Sequence, residues 1–431
     1  MTAKVIYVFE NRKNYKLTII NQEHYGRGVA KYNSMPVFVH NALPGEFVVA
    51  NITNVKKKFC EGVVTKIITP SKSRVDAPCK CYEYCGGCHI MHQEYSENLK
   101  FKKRIVMDAL YKFGGFNVKN IKLNNTIASP TIYNYRNKIT LHVKDNKLGY
   151  YKSNSNDLVS IDKCLIVDNV INDCIDIISK YLSGIKEVVI RYGKYTDELM
   201  IIFTIVNDLS IELLDDLEKH IKSLTSIYII KNRKKRLIYG DSVITEKLLG
   251  KTFQILPESF FQVNTMQAEN MFSKVRSYIG KNDKNILDLY CGSGVISILL
   301  SSFDRKIIGV DIVDASIINA KANAVINKCE NLCFINDDVV NVLPVILKTK
   351  KEIDVLIVDP PRSGIDKKSV DFIVKLKPKK IIYISCDPIT LSRDLKILNN
   401  LYNVIEITPY DMFPMTHHVE CVCVLNLRKH L

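Results

Sequence analysis

The sequence predicts a multidomain α/β protein: an N-terminal β-barrel, a central α+β domain and a C-terminal Rossmann-like, doubly wound sheet. Three observations predict it. The chain has 431 residues, enough for about three domains at roughly 150 residues each. Its first part reads as short strands punctuated by glycine. From residue 256 onward, buried-type strands alternate with helical segments, the pattern of a sheet wound by crossover helices.

Residues 1–70 carry the apolar runs Val37-Phe38-Val39, Glu46-Phe47-Val48-Val49 and Gly62-Val63-Val64, separated by Gly26, Gly28 and the turn dipeptide Pro44-Gly45. So short a sheet leaves exposed edges unless it closes into a barrel. Lys56, Lys57 and Lys58 make it basic. Residues 71–255 form the central domain. Within it, residues 94–113 suit an amphipathic helix, with Leu99, Ile105, Val106, Ala109 and Leu110 alternating with Lys100, Lys102, Lys103 and Arg104. Strands are expected at Lys138–Val143, Lys186–Arg191, Leu199–Val206 and Ile227–Ile230, and helices at 168–182 and 210–223. The run Lys231, Arg233, Lys234, Lys235, Arg236 falls on a hairpin tip, where it is either a phosphate contact or a solvated turn. In the third domain, residues 256–431, strands are expected at Asn285–Tyr290, Lys306–Asp311, Leu332–Asn336, Ile353–Asp359, Lys380–Ser385, Val404–Pro409 and Val419–Leu427.

Composition narrows the function. The chain is 47% hydrophobic and 25% charged, as a globular protein is. It has no apolar run of about 18 residues, and MTAKVIYVFENRKNYK lacks the apolar core of a secretion signal. A cytoplasmic protein that engages no membrane and acts as a monomer is expected. Its formal net charge of +16 points to a polyanionic partner such as a nucleic acid, although a chain rich in Lys, Ile and Asn becomes basic without selection for binding.

In open α/β sheets ligands bind at the carboxyl ends of the strands, and the informative residues fall there. The first strand of the third domain ends in Leu287-Asp288-Leu289-Tyr290-Cys291-Gly292-Ser293-Gly294; seventeen residues after Gly294 the next ends at Asp311, placed to accept ribose hydroxyls. Asp338, after the third strand, is placed to face an adenine. The third glycine of GxGxxG is missing, so no pyrophosphate cradle is expected. S-adenosylmethionine, which has no phosphate, fits better.

Two further strand ends read Asp359-Pro360-Pro361-Arg362 and Ser385-Cys386-Asp387-Pro388, and His417-His418-Val419-Glu420 opens the last strand. A thiolate adding to carbon 6 of uracil makes carbon 5 nucleophilic, and a base must then remove the carbon-5 proton so that the thiol can leave. Cys386 and Glu420 can supply those groups. Cys421 and Cys423 read as core residues, and His417 and His418 as alternative bases or surface residues.

The strings YRNK (Tyr135–Lys138), FFQVN (Phe260–Asn264), DLYCGSG (Asp288–Gly294), DPPR (Asp359–Arg362), SCDP (Ser385–Pro388) and DMFPMTHHVE (Asp411–Glu420) occur in order. Together they resemble the RNA uracil-5-methyltransferase family over nearly the whole chain, and the barrel resembles an OB-like TRAM domain. The resemblance implies Cys386 as nucleophile and Glu420 as proton acceptor. It places Gln262, Tyr290, Asp311 and Asp359 around S-adenosylmethionine and the target base, where Gly292 of the glycine turn and Asp338 at its strand end are further expected cofactor contacts. Asp387 stands where family members often have Asn, and Met415 where a His is frequent. The resemblance also implies that residues 94–125 pack with the catalytic domain. Phe260 and Phe261 are read as core residues, with stacking on a base as the alternative.

Thirteen cysteines are many for a reducing compartment. Cys79, Cys85 and Cys88 in CKCYEYCGGC have the spacing C-x5-C-x2-C, and Cys164 lies downstream. Four thiolates suit a [4Fe–4S] cluster or zinc. In the resembled family this pattern holds a [4Fe–4S] cluster in the 23S rRNA branch and is missing from the tRNA branch, which favours 23S rRNA over the tRNA T-loop. Cys81, Cys85 and Cys88 also spell the C-x3-C-x2-C of radical S-adenosylmethionine enzymes. That reading leaves Cys386, Glu420 and the glycine turn without a task, as does a non-catalytic RNA-binding factor. Cys81 is therefore expected not to be a ligand.

Overall fold

The computed structural model describes residues 9–152 and 155–428. The reading of the chain's start as lacking a secretion signal falls partly on residues 1–8, outside the described residues. No helix among the described residues is long and apolar enough to cross a membrane.

The first sheet has six strands. Its closure comes from one bent segment. Asn14–Thr18 pairs with Phe47–Val55, and the same chain, continuing into Asn21–Gln22, pairs with Gly28–Tyr32. Met35–His40 and Cys60–Thr69 complete the ring. The period-two alternation of Val37, Val39, Val48, Ala50 and Ile52 fills the interior. Lys56, Lys57 and Lys58 are exposed between the last two strands.

The central sheet has seven strands, with Lys138–Lys144 paired on one side to Ile185–Gly193 and on the other to Lys147–Tyr151. Helices Asn169–Ile178 and Ile211–His220 contribute to the core against its other face. The basic run lies on a hairpin tip, as expected, where Asn232 and Arg233 turn with positive φ. Lys231 and Lys235 there pair with Asp208 and Glu258.

The C-terminal sheet also has seven strands, in the order Leu332–Asn336, Lys306–Asp311, Asn285–Leu289, Val355–Val358, Lys380–Ser385, Glu420–Leu427, Tyr402–Tyr410. The first five are parallel; Glu420–Leu427 runs antiparallel to both neighbours. Both faces are covered, which is why its strands read as continuous apolar runs. Val355 and Ile357 pack into one core and Leu356 and Val358 into the other.

Helix Tyr95–Lys112 packs into that second core through Phe101, Ile105, Val106 and Leu110. Segment 123–127 follows the outer strand through bridges from Leu123 to Ile407 and from Ile127 to Tyr410. One expectation for the helix fails. Lys102 does not lie on a polar face but is wholly buried. It falls on the stripe of Asn98, Phe101, Ile105, Val106 and Ala109, which helical periodicity assigns to the core.

Candidate active site

Three adjacent strand ends build the site. Lys380–Ser385 lies between Val355–Val358 and Glu420–Leu427. Because the last strand runs backward, it begins where its neighbour ends. Ser385 pairs with Cys421, which sets Glu420 beside Cys386, and Asp359 follows the strand on the other side. Asp387 is spent on helix Pro388–Leu398, accepting from the backbone N–H of Ile389 (2.8 Å) and Thr390 (3.1 Å), an N-cap that Asp and Asn perform equally well.

The electrostatics are those of crowded acids. Burial, then the Glu420 and Asp359 carboxylates, push the Cys386 thiol up to about 12, against the pull of Arg362. Burial and Asp359 raise Glu420 to about 8, with Arg362 and Lys102 opposing. Burial and the neighbouring Asp288 raise Asp359 to about 7. Lys102 approaches from beneath, donating to the Asp411 carboxylate and to the Phe413 carbonyl (3.0 Å). His417 and His418 are not surface residues. They are half-buried and packed at 4.1 Å between ring centroids. His417 is pushed down to about 2 by burial and by His89 and His418, and His418 to about 3 by burial and by Arg362, values that make them poor bases.

Cys386 opens into a cavity of about 530 Å³, of the size that holds a small ligand. Its walls come from the barrel (Tyr25), the helix (Arg104) and the catalytic sheet (Arg362, His418). A second, smaller cavity of about 60 Å³ gathers Gln262, Tyr290, Gly292 and Asp359. Gly292 (φ +52°) has open space where a Cβ would stand, whereas a Cβ on Gly294 (φ +77°) would meet Phe334 at 2.8 Å. Only glycine suits both the left-handed turn and that close approach. Asp311 accepts from Gly292 N at 2.9 Å. Asp338 caps helix Val339–Lys348 through Val340 N with one carboxylate oxygen, and its charge bears on the nearby Tyr290 hydroxyl. Asp288, which sequence reasoning did not single out, is fully buried with one carboxylate oxygen unpartnered among the described residues.

Residues 94–428 match the family described as tRNA (uracil-5-)-methyltransferase, and residues 9–65 match the TRAM domain. The chain belongs to this uracil-5-methyltransferase family. It is thus an S-adenosylmethionine-dependent RNA methyltransferase with a TRAM barrel and a class I catalytic fold. It is 36% identical to an uncharacterized RNA methyltransferase of Clostridium acetobutylicum over 98% of this chain and 99% of that one. It is 34% identical to another from Staphylococcus aureus, over 95% and 97%. Among solved structures it resembles the Pyrococcus abyssi tRNA (uracil-54, C5)-methyltransferase in complex with S-adenosyl-L-homocysteine, with 28% identity and a TM-score of 0.78, covering 95% of this chain and 100% of that one.

In the methyltransferase the cysteine segment converges on a third cavity, of about 140 Å³, lined by Cys79, Cys81, Cys85, Cys88 and Cys164. Mutual repulsion of the thiols adds to burial in raising Cys85 to about 11 and Cys88 further. Cys81 directs its thiol to the Ser160 carbonyl at 3.7 Å. Among the described residues no three Cys, His, Asp or Glu side chains are gathered closely enough to hold a metal ion. The segment touches the active site directly. His89 N and Ile90 N donate to the Met415 carbonyl at 2.9 and 3.1 Å, in the loop that leads to Glu420. Met415 adopts φ +67° there.

The expectation that Phe260 and Phe261 are both core residues holds only for Phe261; Phe260 is 70% exposed. Arg191 explains why. Buried on the central sheet, its guanidinium donates to the carbonyls of Leu256 (2.6 Å), Pro257 (3.1 Å) and Ser259. That clamp fixes the turn from which Phe260 projects.

Proposed function

We propose that the protein transfers a methyl group to carbon 5 of a uridine in 23S rRNA, through a covalent bond between Cys386 and carbon 6. The observation that carries the chemistry is the apposition of Cys386, Glu420 and Asp359 at three neighbouring strand ends. The Cys386 thiolate adds to carbon 6, and the displaced π electrons collect on carbon 5 and the carbon-4 oxygen. S-adenosylmethionine supplies the methyl group that carbon 5 takes up. Glu420 then removes the carbon-5 proton, and the electrons of that C–H bond expel the sulfur. Gln262, Tyr290, Gly292, Asp311, Asp338 and Asp359 are the proposed contacts to cofactor and base. The unpartnered Asp288 oxygen beside the glycine turn fits a ligand ammonium, and the crowded carboxylates fit a sulfonium cation. Phe260 is placed to stack on a base of the RNA.

Cys79, Cys85, Cys88 and Cys164 are the proposed ligands of a [4Fe–4S] cluster, with Cys81 outside the set. Their donor chemistry and common cavity fit it. A cluster held there would anchor Cys88, next to His89 and Ile90, whose N–H groups hold the Met415 carbonyl in the loop that leads to Glu420. Cys88→Ser is expected to remove the visible absorbance of the purified protein, and Cys81→Ser to keep it; loss of absorbance in Cys81→Ser makes Cys81 a ligand instead.

The cysteine pattern favours 23S rRNA. The second reading, tRNA, is favoured by the likeness to the Pyrococcus abyssi tRNA enzyme. Mass spectrometry of nucleosides from rRNA and tRNA, purified from cells with and without the gene, separates the two. Loss of 5-methyluridine from 23S rRNA is expected, and loss confined to tRNA would overturn the rRNA assignment. The protein is taken to act as a cytoplasmic monomer.

A further inference from the structure

One face of the central sheet is only half covered. Residues directly opposite in an antiparallel pair share a face, so Arg191 faces the same way as Lys138 and Glu187 the same way as His142. Toward the catalytic domain this face is closed, since Met200 and Ile202 join the catalytic core and Val189 packs against it. Along strand Lys138–Lys144 it stays open. Alternate residues of that strand, Lys138, His142 and Lys144, are half-buried or exposed, and Lys147 stands opposite Lys144 across the hairpin.

The open strip has a definite composition. Its lysines have no carboxylate partner on the face: neither Lys138 nor Lys144 nor Lys147 forms an ion pair among the described residues, and Glu187 lies against His142 at 3.4 Å. The His142 and Tyr151 rings stack at 4.4 Å with an interplanar angle of 22°, a flat platform with Tyr151 37% exposed. The strip begins next to the reaction site, because Arg191, opposite Lys138 on the same face, holds the turn at Leu256 and Pro257 that leads to Gln262. Lys138 and Lys144, six residues apart, stand about 20 Å apart along the strand. Unpaired cations interleaved with a stacking platform are what a single strand of nucleic acid requires.

The geometry points to this strip, from Lys138 past the His142–Tyr151 stack to Lys144 and Lys147, as a track for the single-stranded RNA that flanks the target uridine. The inference rests on the proposed chemistry, since the track leads to Cys386. The lysines meet phosphates and the aromatic pair carries a base. Burial among Arg191 and Arg136 lowers the Lys138 ammonium to about 8, a cost that a phosphate offsets.

The test measures binding of a short heteropolymeric single-stranded RNA against salt concentration. The K138Q/K144Q/K147Q variant is expected to lower the slope of log Kd against log salt by about 2, at roughly 0.7 per phosphate contact. K144Q/K147Q, which leaves the half-buried Lys138 in place and so keeps the fold secure, should lower it by about 1.4. Y151A should weaken binding by roughly tenfold without changing the slope. Slopes equal to wild type in both lysine variants would overturn the track. Adduct formation on 5-fluorouridine-substituted RNA, measured in parallel on wild type, reports the chemistry separately. A wild type that forms adduct while the lysine variants keep its slope refutes the track alone, and a wild type that forms none refutes the reading beneath it.

Discussion

Glu420→Gln is expected to stop turnover after methyl transfer, leaving RNA bonded to the protein, whereas Cys386→Ala leaves no bond at all. The two variants diverge because they act at opposite ends of one sequence. Glutamine cannot take the carbon-5 proton, so the sulfur has no route out; loss of a general base of this kind costs about 10²–10⁴-fold in rate. The wild-type release step should quicken as pH rises toward about 8, where Glu420 becomes the carboxylate, and level off above. Stability runs the other way. The folded-state value lies above the roughly 4.3 of an unfolded glutamate, so the folded protein binds the extra proton between the two. The stability this contributes is present at low pH and is lost as pH rises through about 8. Glu420→Gln should therefore flatten the stability profile over that window. Denaturing gels of RNA–protein mixtures and thermal melts across pH check both outcomes.

Lys102→Met is expected to be the most damaging substitution away from the reacting groups. Lys102 and Asp411 are both wholly buried, and removing one partner of such a pair strands the other, at a cost of about 3–5 kcal/mol. Replacing both, as Lys102→Met with Asp411→Leu, should recover much of that loss, because the penalty belongs to the orphaned charge. Activity should not recover with it. The pair ties the helix to the Asp411–Phe413 turn, and its cation opposes the forces that keep Glu420 protonated. Lys102 thus acts as a positioning residue. Denaturant melts of the single and double variants, with the pH profile of adduct release in the double variant, separate the two roles. A double variant with wild-type release would confine Lys102 to stability.

Much of this was legible in the sequence because the catalytic strands are buried on both faces and stand out as apolar runs. Lys306–Asp311 and Lys380–Ser385 have the bounds their apolar runs predict, as does the edge strand Leu332–Asn336, in which only Phe334 is buried. Strand order was not legible. That Glu420 meets Cys386 depends on one antiparallel strand inserted between Lys380–Ser385 and Tyr402–Tyr410, which no local pattern announces. Lys102 was misread because its charge outweighed its position on the apolar stripe, although the stripe alone places it inside. Phe260 was misread for the opposite reason: its apolar ring indicated the core, while Arg191, distant in sequence, holds its turn outward. Arg362 lay in view within the DPPR string, but its reach to both Cys386 and Glu420 depends on packing. Asp338 shows the ambiguity of an acid at a strand end, since one of its carboxylate oxygens caps the next helix while the other accepts no hydrogen bond among the described residues.

The central claim is that Cys386 makes the bond to the base. Its most direct measurement is protease mapping, by mass spectrometry, of the adduct formed on 5-fluorouridine-substituted RNA, where the carbon-5 fluorine cannot leave as a proton. The account predicts the nucleotide on the peptide that carries Cys386, together with one added methyl group, and no adduct from Cys386→Ala. A nucleotide attached through another residue, or an adduct that persists in Cys386→Ala, would contradict it.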